Sequence, residues 1–364
     1  MNITRSMLLS LKKYWKMNKV GIVTLPLHFN FGGILQAYAL QQAVSCLGYD
    51  TVVIRQKKKT LKESVKWLLY NFSGVYKFVN TNIHFLTLQE TFSSIELSKN
   101  KISALIVGSD QVWRPCMGVN RIENVYRYFL KSDGKAQIKK IAYAASFGVD
   151  YWDFTEKETA IAKALIKDFD AVSVRENTGV GLSDKYLGYK NALQVLDPTM
   201  LLQKSDYEKF ISTNPFKTDK RHCFVYLLDY ANERNKKIVE NIIGDDVEQL
   251  VSKVERNPIK KYLNSNGTIE EWLSLIFYSD IVITDSFHGC VFSILFHKDF
   301  YVMGNTIGGN ARISSLLDML GLQHRYIGKD MVKFDKKPIN WSQVEEILDK
   351  KRTQSISYLK VSLK

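Results

Sequence analysis

The segment richest in reactive groups lies between a predicted strand and a predicted helix in the last third of the chain. The β-branched run Ile281–Thr284 predicts a short buried strand, and Ser286, Phe287, His288 and Gly289 stand between it and an apolar helix. In an open parallel sheet, ligands bind beyond the carboxyl ends of the strands, beside helix N-termini. A hydroxyl, an imidazole and backbone amides at such a place favour an anionic ligand. An imidazole can also transfer a proton near neutral pH.

Several other predicted strands end in small or polar residues. A strand at 103–107 leads into Gly108-Ser109-Asp110, one at 141–146 ends at Ser146, and one at 171–174 leads into Arg175. The first strand, at 19–25, leads into a glycine-containing loop, Asn30-Phe31-Gly32-Gly33. Because parallel strands end at one edge of a sheet, these loops are expected to line one crevice.

Each charged candidate has a structural alternative. Arg175 suits anion binding, but it could instead form a surface ion pair with the adjacent Glu176. Asp110 could act as a base or only cap a turn. Arg312 and Asn310 follow a glycine-rich segment at the predicted start of a helix, where an anion could bind or where the glycines could simply make a turn.

The composition indicates a globular chain of two domains. The 364 residues are 45% apolar and 24% charged. No apolar run reaches the roughly 20 residues that span a bilayer, and we expect no signal peptide. The cysteines are widely spaced, which predicts reduced thiols in the cytoplasm rather than a zinc site or disulfides. They are Cys46, Cys116, Cys223 and Cys290.

Basic residues are concentrated in the N-terminal part of the chain. The formal charge is +14, and residues 1–66 hold eleven Lys and Arg against two acids. Residues 1–18 predict a basic amphipathic helix, and residues 57–85 predict a Lys-rich insertion with Trp67 and Tyr70. These segments could face an anionic membrane surface or pack into the first domain. No nucleic-acid-binding module is recognisable, so a nucleic-acid partner is not expected.

The pattern of elements predicts an α/β fold in three parts. We place an N-terminal α/β domain at 1–203 and a second α/β domain at 204–338. A C-terminal helix at 339–364 is expected to fold back on the first domain. A Thr268-x-x-Glu271 capping box predicts the start of one helix in the second domain.

Five segments together resemble one known family. They occur in the family's order and lie within roughly residues 19–325. The segments are Asn30-Phe31-Gly32-Gly33, Gly108-Ser109-Asp110-Gln111-Val112-Trp113, Tyr143-Ala144-Ala145-Ser146-Phe147-Gly148, Val174-Arg175-Glu176 and Asp285-Ser286-Phe287-His288-Gly289. This combination resembles the polysaccharide pyruvyl transferase family. The resemblance implies a GT-B-like architecture of two Rossmann-like domains facing across a cleft, with the acceptor on the N-terminal side and the donor on the C-terminal side.

The resemblance also implies a reaction. Pyruvate would pass from phosphoenolpyruvate to two hydroxyls of a sugar, forming a cyclic ketal, with no metal and no cofactor beyond the donor substrate. His288 would be the acid or the phosphate-holding group, and Asp110 a base. The expected donor-binding residues are Arg175, Ser286, Phe287, Gly289, Arg312 and Asn310. The expected acceptor-binding residues are Asn30, Gly32, Gly33, His28 and Ser146.

Two positions depart from the family pattern. Many members carry an acidic residue where this chain has Gly33, and many carry arginine where it has Ser286, so another cation would have to hold the phosphate. The implied acceptor is a surface polysaccharide or its lipid-linked precursor at the inner face of the cytoplasmic membrane. Two other functions remain open: a GT-B nucleotide-sugar glycosyltransferase and a non-catalytic carbohydrate-binding protein.

Overall fold

The computed structural model describes most of the chain. It covers residues 19–56, 73–88, 92–117, 120–228, 233–243, 247–253, 267–304, 309–328 and 337–364. The predicted amphipathic helix at 1–18 lies outside these residues, as do Trp67 and Tyr70 of the predicted insertion.

The first domain alternates seven strands with six helices among the described residues. The strands are β1 (Lys19–Val23), β2 (Asp50–Gln56), β3 (Phe85–Leu88), β4 (Ile102–Gly108), β5 (Lys139–Ala145), β6 (Ala171–Val174) and β7 (Leu193–Gln194). The helices are α1 (Phe31–Cys46), α2 (Gly74–Asn82), α3 (Ser94–Lys99), α4 (Arg121–Tyr128), α5 (Glu156–Leu165) and α6 (Asn177–Leu182).

The second domain is smaller. Its described strands are β8 (Arg221–Leu227), β9 (Val247–Lys253), β10 (Ile281–Thr284), β11 (Asp299–Met303) and β12 (Tyr326–Ile327). The helices from this point to the C-terminus are α7 (Lys204–Glu208), α8 (Glu233–Ile243), α9 (Ile269–Tyr278), α10 (Phe287–Leu295), α11 (Asn310–Leu320) and α12 (Trp341–Ser362).

Both sheets are parallel, and in each sheet the order in which successive strands are added reverses once. The first has the order β3-β2-β1-β4-β5-β6-β7, and the second β12-β11-β10-β8-β9. The order reverses between β1 and β4 in the first sheet and between β10 and β8 in the second. A reversal opens a crevice at the carboxyl ends of the two strands, where ligands bind in doubly wound folds. The loops after β1, β4 and β10 therefore lie where a site is expected.

Helix α1 joins the cores of the two domains. Asn30 caps it by accepting a hydrogen bond from the amide of Gly33 at 3.0 Å. The helix is buried over nearly its whole surface, so its sequence is apolar on all sides rather than on one face. The ring of Phe31 lies 5.9 Å from that of Trp272 in α9. The two sheets thus share one hydrophobic core through α1.

Helix α12 packs on the first domain. Its buried positions recur every three or four residues, at Val344, Leu348, Arg352, Ser355 and Leu359, which is the stripe of a one-sided helix. Three side chains fix it to the first domain. Arg352 donates to the carbonyl of residue 200, Ser355 accepts from the amide of residue 196, and Tyr358 donates to the carbonyl of residue 142.

Several local predictions are confirmed and one is partly wrong. The strands at 171–174 and 281–284 are present, and Thr268 and Glu271 form the predicted capping box. The predicted insertion at 57–85 is described only from residue 73, and this part belongs to the domain. Helix α2 packs Val75, Phe78 and Val79 into the core, and β3, which begins at Phe85, pairs in parallel with β2. Among the described residues, no helix is long and apolar enough to cross a membrane.

Candidate active site

The predicted site residues meet where the two crevices face each other. Asn30 and Gly32 come from the loop and helix after β1, Asp110 from the loop after β4, Arg175 from the end of β6, and His288 from the first turn of α10. Arg312 is added by the first turn of α11.

Asp110 is held in an unusual backbone conformation. Its φ is +56°, a region that costs non-glycine residues free energy and is found most often at functional sites. Its carbonyl accepts hydrogen bonds from the amides of Val112 and Ser146, at 2.8 and 3.1 Å, and these fix the turn. Its carboxylate accepts from the Asn30 side chain at 3.0 Å. Asp110 therefore does more than cap a turn, because its carboxylate points at the loop after β1.

Arg175 is buried and not on the surface. Its Nη1 donates to the carboxylate of Asp197 at 2.8 Å, and its Nη2 lies 3.8 Å from that of Asp110. The guanidinium carbon lies 4.4 Å from the centre of the Phe287 ring. Within the described structure, Nε and Nη2 of Arg175 make no hydrogen bond although both are buried. A planar guanidinium with buried, unused N–H groups is suited to hold an anion.

Asp197 is the most fully engaged carboxylate of the site. Its Oδ2 accepts from Ser109 at 2.9 Å and from Arg175, and its Oδ1 accepts from the amide and hydroxyl of Thr199 at 3.0 and 2.7 Å. Burial by itself would raise the pKa of Asp197. The nearby charges of His288 and Arg175 and the hydrogen bonds outweigh burial and hold that pKa well below its usual range. Asp197 is therefore a fixed negative charge at neutral pH.

His288 sits between Asp197 and the glycine loop. Its Nε2 lies 3.7 Å from Oδ2 of Asp197, which is too long for a hydrogen bond but gives an imidazolium a counter-ion. This buried nitrogen makes no hydrogen bond with any residue that the structure describes. On the other side the ring touches Gly32, where an added Cβ would lie only 2.0 Å from Nδ1. Gly32 thus allows an element of the first domain to approach the histidine of the second.

Arg312 brings a second guanidinium to the same aromatic ring. Its guanidinium carbon lies 5.8 Å from the centre of the Phe287 ring, and its Nη1 lies 4.0 Å from Asp110. Burial, followed by repulsion from Arg175, lowers the pKa of Arg312 to about 10. The charge of Arg114 lowers it further. Cations that lower one another's pKa by repulsion are stabilised when an anion binds between them.

The arrangement combines anion-binding groups with a proton-transfer group. Arg175 and Arg312 offer buried donors that are not used within the described residues, and His288 offers an unpartnered ring nitrogen. Asp110 is the carboxylate nearest to both arginines that is not already saturated with hydrogen bonds. These groups can bind a small anion and move a proton to or from it.

The remaining predicted residues play varied parts. Ser286 caps α10 by accepting from the amide of Gly289 at 3.3 Å, so that amide is not free for a ligand. Gly289 packs against Thr284, where an added Cβ would lie 2.4 Å from the hydroxyl oxygen. Asn310 lines a neighbouring pocket, described below.

The side chains of two predicted acceptor residues make none of the side-chain contacts described above. His28 is exposed in the loop before Asn30. Ser146 is fully buried, and its hydroxyl donates to Glu176 at 3.0 Å. A sugar contact by any of these residues stays a prediction.

The surface ion pair considered for Arg175 and Glu176 does not form. Oε1 of Glu176 instead accepts from the amides of Phe147 and Gly148 and from the Ser146 hydroxyl, so Glu176 holds the loop after β5. Asp197, the actual partner of Arg175, was missed because β7 before it has only two residues and leaves no strand pattern in the sequence. Arg114 was also missed, although it directly follows the Gln-Val-Trp of a recognised segment.

The sequence matches a known family over most of its length. The sequence model described as polysaccharide pyruvyl transferase covers residues 30–306. The chain belongs to the polysaccharide pyruvyl transferase family. The matched range holds Asn30, Asp110, Arg175, Asp197 and His288. Membership in the polysaccharide pyruvyl transferase family implies a transferase acting on polysaccharide.

Solved structures are similar to this polysaccharide pyruvyl transferase family member at low sequence identity. Arabidopsis thaliana UGT89C1 is 9% identical with a TM-score of 0.51, over 96% of this chain and all 100% of that chain. The UDP-GlcNAc 2-epimerase from Methanocaldococcus jannaschii is 13% identical with a TM-score of 0.49, over 92% of each chain. The S. aureus MnaA–UDP structure is 11% identical with a TM-score of 0.47, over 95% of this chain and 91% of that chain.

The predicted fold class is confirmed. The likeness to UGT89C1 and the two parallel sheets identify a GT-B architecture of two Rossmann-like domains. At this level of identity the likeness concerns the fold alone. The sequence has no significant match among curated proteins.

Proposed function

We propose that this protein transfers the pyruvyl group of phosphoenolpyruvate to two hydroxyls of a sugar and forms a cyclic ketal. The observation that carries the proposal is the pair of arginines at the Phe287 ring, of which Arg175 is buried and Arg312 partly buried. Both hold buried N–H groups that no described residue uses, and His288, whose Nε2 is likewise unpartnered, lies against the same carboxylate of Asp197 as Arg175 does. The sugar belongs to a surface polysaccharide or to its lipid-linked precursor.

The donor fits the charges of the site. Phosphoenolpyruvate carries a phosphate and a carboxylate, and each can accept paired hydrogen bonds from a guanidinium. Arg175 and Arg312 supply two such groups, with Arg114 near enough to influence Arg312. These cations take the place of the arginine that many family members carry at the position of Ser286. Because Arg175 is buried and Arg312 only partly exposed, water screens their contacts with an anion less than it screens surface contacts.

The reaction can be written with the chain's own residues. His288 donates a proton to the methylene carbon of the donor, which becomes a methyl group and leaves positive charge on the neighbouring carbon. A sugar hydroxyl attacks that carbon and loses its proton to Asp110. The bond between that carbon and the oxygen of the phosphate group then breaks, and phosphate leaves with the electron pair. The second hydroxyl attacks the same carbon and closes the ring. The proton held by Asp110 passes to the departing phosphate, and the proton of the second hydroxyl restores His288.

Phosphate release tests the proposal. The protein is incubated with phosphoenolpyruvate and a pool of bacterial surface glycans, and inorganic phosphate is measured. His288→Ala should lower the rate by about a hundredfold or more. His84→Ala removes an exposed histidine elsewhere and should leave the rate unchanged. Glycan-dependent turnover of UDP-sugars instead of phosphoenolpyruvate would make the protein a nucleotide-sugar glycosyltransferase, and glycan binding without either turnover would make it a binding protein.

Two further parts of the proposal have separate tests. The scheme needs no metal and no nucleotide, so activity should survive dialysis against a chelator.

The basic residues of 1–66 attract the protein to an anionic membrane surface, where each Lys or Arg near the bilayer contributes about 1 kcal/mol. Co-sedimentation at low salt should show more binding to anionic than to neutral vesicles. Equal binding to both would remove the membrane from the proposal.

A further inference from the structure

A pocket lies along one face of α11, where Asn310 and Ala311 line it directly before Arg312 in the chain. Its volume is about 630 Å³, within the roughly 300–1,000 Å³ typical of ligand pockets. Asp150, Asn177 and Gln194 of the first domain line one wall. The α11 residues line the opposite wall, and Lys351 of α12 contributes one side. The pocket therefore lies where the two domains and the C-terminal helix meet.

One face of α11 belongs to this pocket. Ala311, Ser314, Ser315 and Asp318 follow one another at intervals of three and one residues, which places them on one side of the helix. Leu317 and its apolar neighbours occupy the side turned to the core. Arg312 stands at the border of the two sides, so a ligand in the pocket would be next to the residue that faces the reacting anion.

The lining is typical of a site for a neutral sugar. It offers carboxamides from Asn177 and Gln194, a hydroxyl from Ser314 and carboxylates from Asp150 and Asp318. Such groups both donate to and accept from the hydroxyls of a pyranose ring. Tyr326 adds an aromatic ring to the lining.

The charge of the pocket separates it from the donor site. Two carboxylates, Asp150 and Asp318, oppose one lysine, Lys351, so the lining disfavours phosphoenolpyruvate or a nucleotide diphosphate. Asn177, Ser314 and Asp318 are exposed and can reach a ligand.

Hydrogen bonds connect three residues that line the pocket, Ser315, Asn177 and Gln194. The hydroxyl of Ser315 accepts from the amide of Asn177 at 2.9 Å and from the side chain of Gln194 at 2.8 Å. Gln194 also donates to the carbonyl of Arg175 at 3.2 Å. These bonds connect the lining of the pocket to the backbone of Arg175.

We infer that this pocket binds a neutral sugar unit of the acceptor glycan, next to the unit that receives pyruvate. The inference rests on the proposed function, since it names the place where that function's acceptor is held. Asp318 and Ser314 are then residues that select the acceptor, and they touch neither the donor nor the reacting atoms.

Glycan binding without donor tests the inference. The labelled wild-type protein is applied to an array of defined bacterial oligosaccharides, and the bound glycans are titrated by calorimetry. Ser314→Trp fills the pocket and should weaken binding by about tenfold or more. Asp318→Asn keeps the shape of the side chain, removes the charge that strengthens a hydrogen bond to a sugar hydroxyl, and should weaken binding by about threefold to tenfold. Ser342→Trp and Asp219→Asn make the same changes at exposed positions outside the pocket and should bind as wild type.

The inference is overturned if the wild-type protein binds no glycan of the array, or if both pocket variants bind as wild type. A parallel titration with phosphoenolpyruvate keeps the two proposals apart. If the pocket variants bind this donor like the wild type but lose the glycan, both proposals hold. If the wild type binds glycan through the pocket but does not bind phosphoenolpyruvate, only the proposed donor fails.

Discussion

Replacing Gly32 by alanine displaces the His288 ring without removing any polar group. A Cβ built on Gly32 lies 2.0 Å from Nδ1, 2.2 Å from Cγ and 2.7 Å from Cβ of His288. Carbon and nitrogen atoms are in ordinary contact only beyond 3.4 Å, so the imidazole must retreat by more than about 1 Å. A misplacement of about 1 Å in a catalytic group can cost on the order of a hundredfold in rate. We therefore expect Gly32→Ala to lower kcat for phosphate release by about a hundredfold.

The same substitution at Gly181 provides a matched control. Gly32 and Gly181 are both helical, and alanine in a helix is favoured over glycine by roughly 0.5–1 kcal/mol. An added Cβ at Gly181 meets nothing within 4 Å, so Gly181→Ala should keep wild-type kcat and gain slightly in thermal stability. At Gly32 the helix gain is offset by an overpacking cost of about 1–3 kcal/mol.

A double-mutant cycle separates displacement of His288 from general damage. In a His288→Ala background the imidazole ring that Gly32→Ala would displace is absent and only the Cβ of residue 288 remains. The second substitution should therefore lower kcat by less than about threefold. A folded Gly32→Ala protein with kcat within threefold of wild type would refute the contact between Gly32 and a catalytic histidine. An equal loss in both backgrounds would mean that Gly32 acts through something other than His288.

Two further predictions concern Asp197. Asp197→Asn leaves the buried guanidinium of Arg175 without its partner and should lower the free energy of unfolding in urea by about 3–5 kcal/mol; a loss below about 1 kcal/mol would contradict the buried pair. Because the pKa of Asp197 is held below its usual range in the folded protein, the carboxylate stabilises the fold above about pH 4 and this contribution is lost as the pH falls further. The difference in unfolding free energy between wild type and Asp197→Asn should therefore narrow below about pH 4. If this difference stays constant from pH 7 to pH 3, Asp197 is not the group whose titration changes the stability.

The sequence predicts the strands that are long or fully buried. Ile281–Thr284 is a β-branched run, and Ala171–Val174 holds two valines among small residues. Both are bounded by charged residues and are found as predicted. Strands of two residues, such as β7 and β12, have no detectable period and were not predicted. The sequence of 57–85 predicts an insertion because its many lysines obscure the buried positions of α2, which pack into the core.

The sequence also predicts which loops meet but not which atoms pair. Asp110, Arg175 and His288 all follow strands, so a common crevice could be expected from their positions. The partner of Arg175 could not be predicted in this way, because the side chains of neighbouring residues along an extended chain point in opposite directions. Glu176 therefore turns to the loop after β5, and the partner comes from Asp197.

Calorimetric titration with phosphoenolpyruvate tests the central claim most directly. We expect saturable binding to the wild-type protein and weaker binding to Arg175→Ala and to Arg312→Ala. Each variant removes a charge-assisted contact of about 1.5–3 kcal/mol, which corresponds to a loss of about tenfold to a hundredfold in affinity. Gly181→Ala should bind like the wild type. Absence of binding to the wild-type protein, or unchanged affinity in both arginine variants, would contradict the claim that these arginines hold the donor.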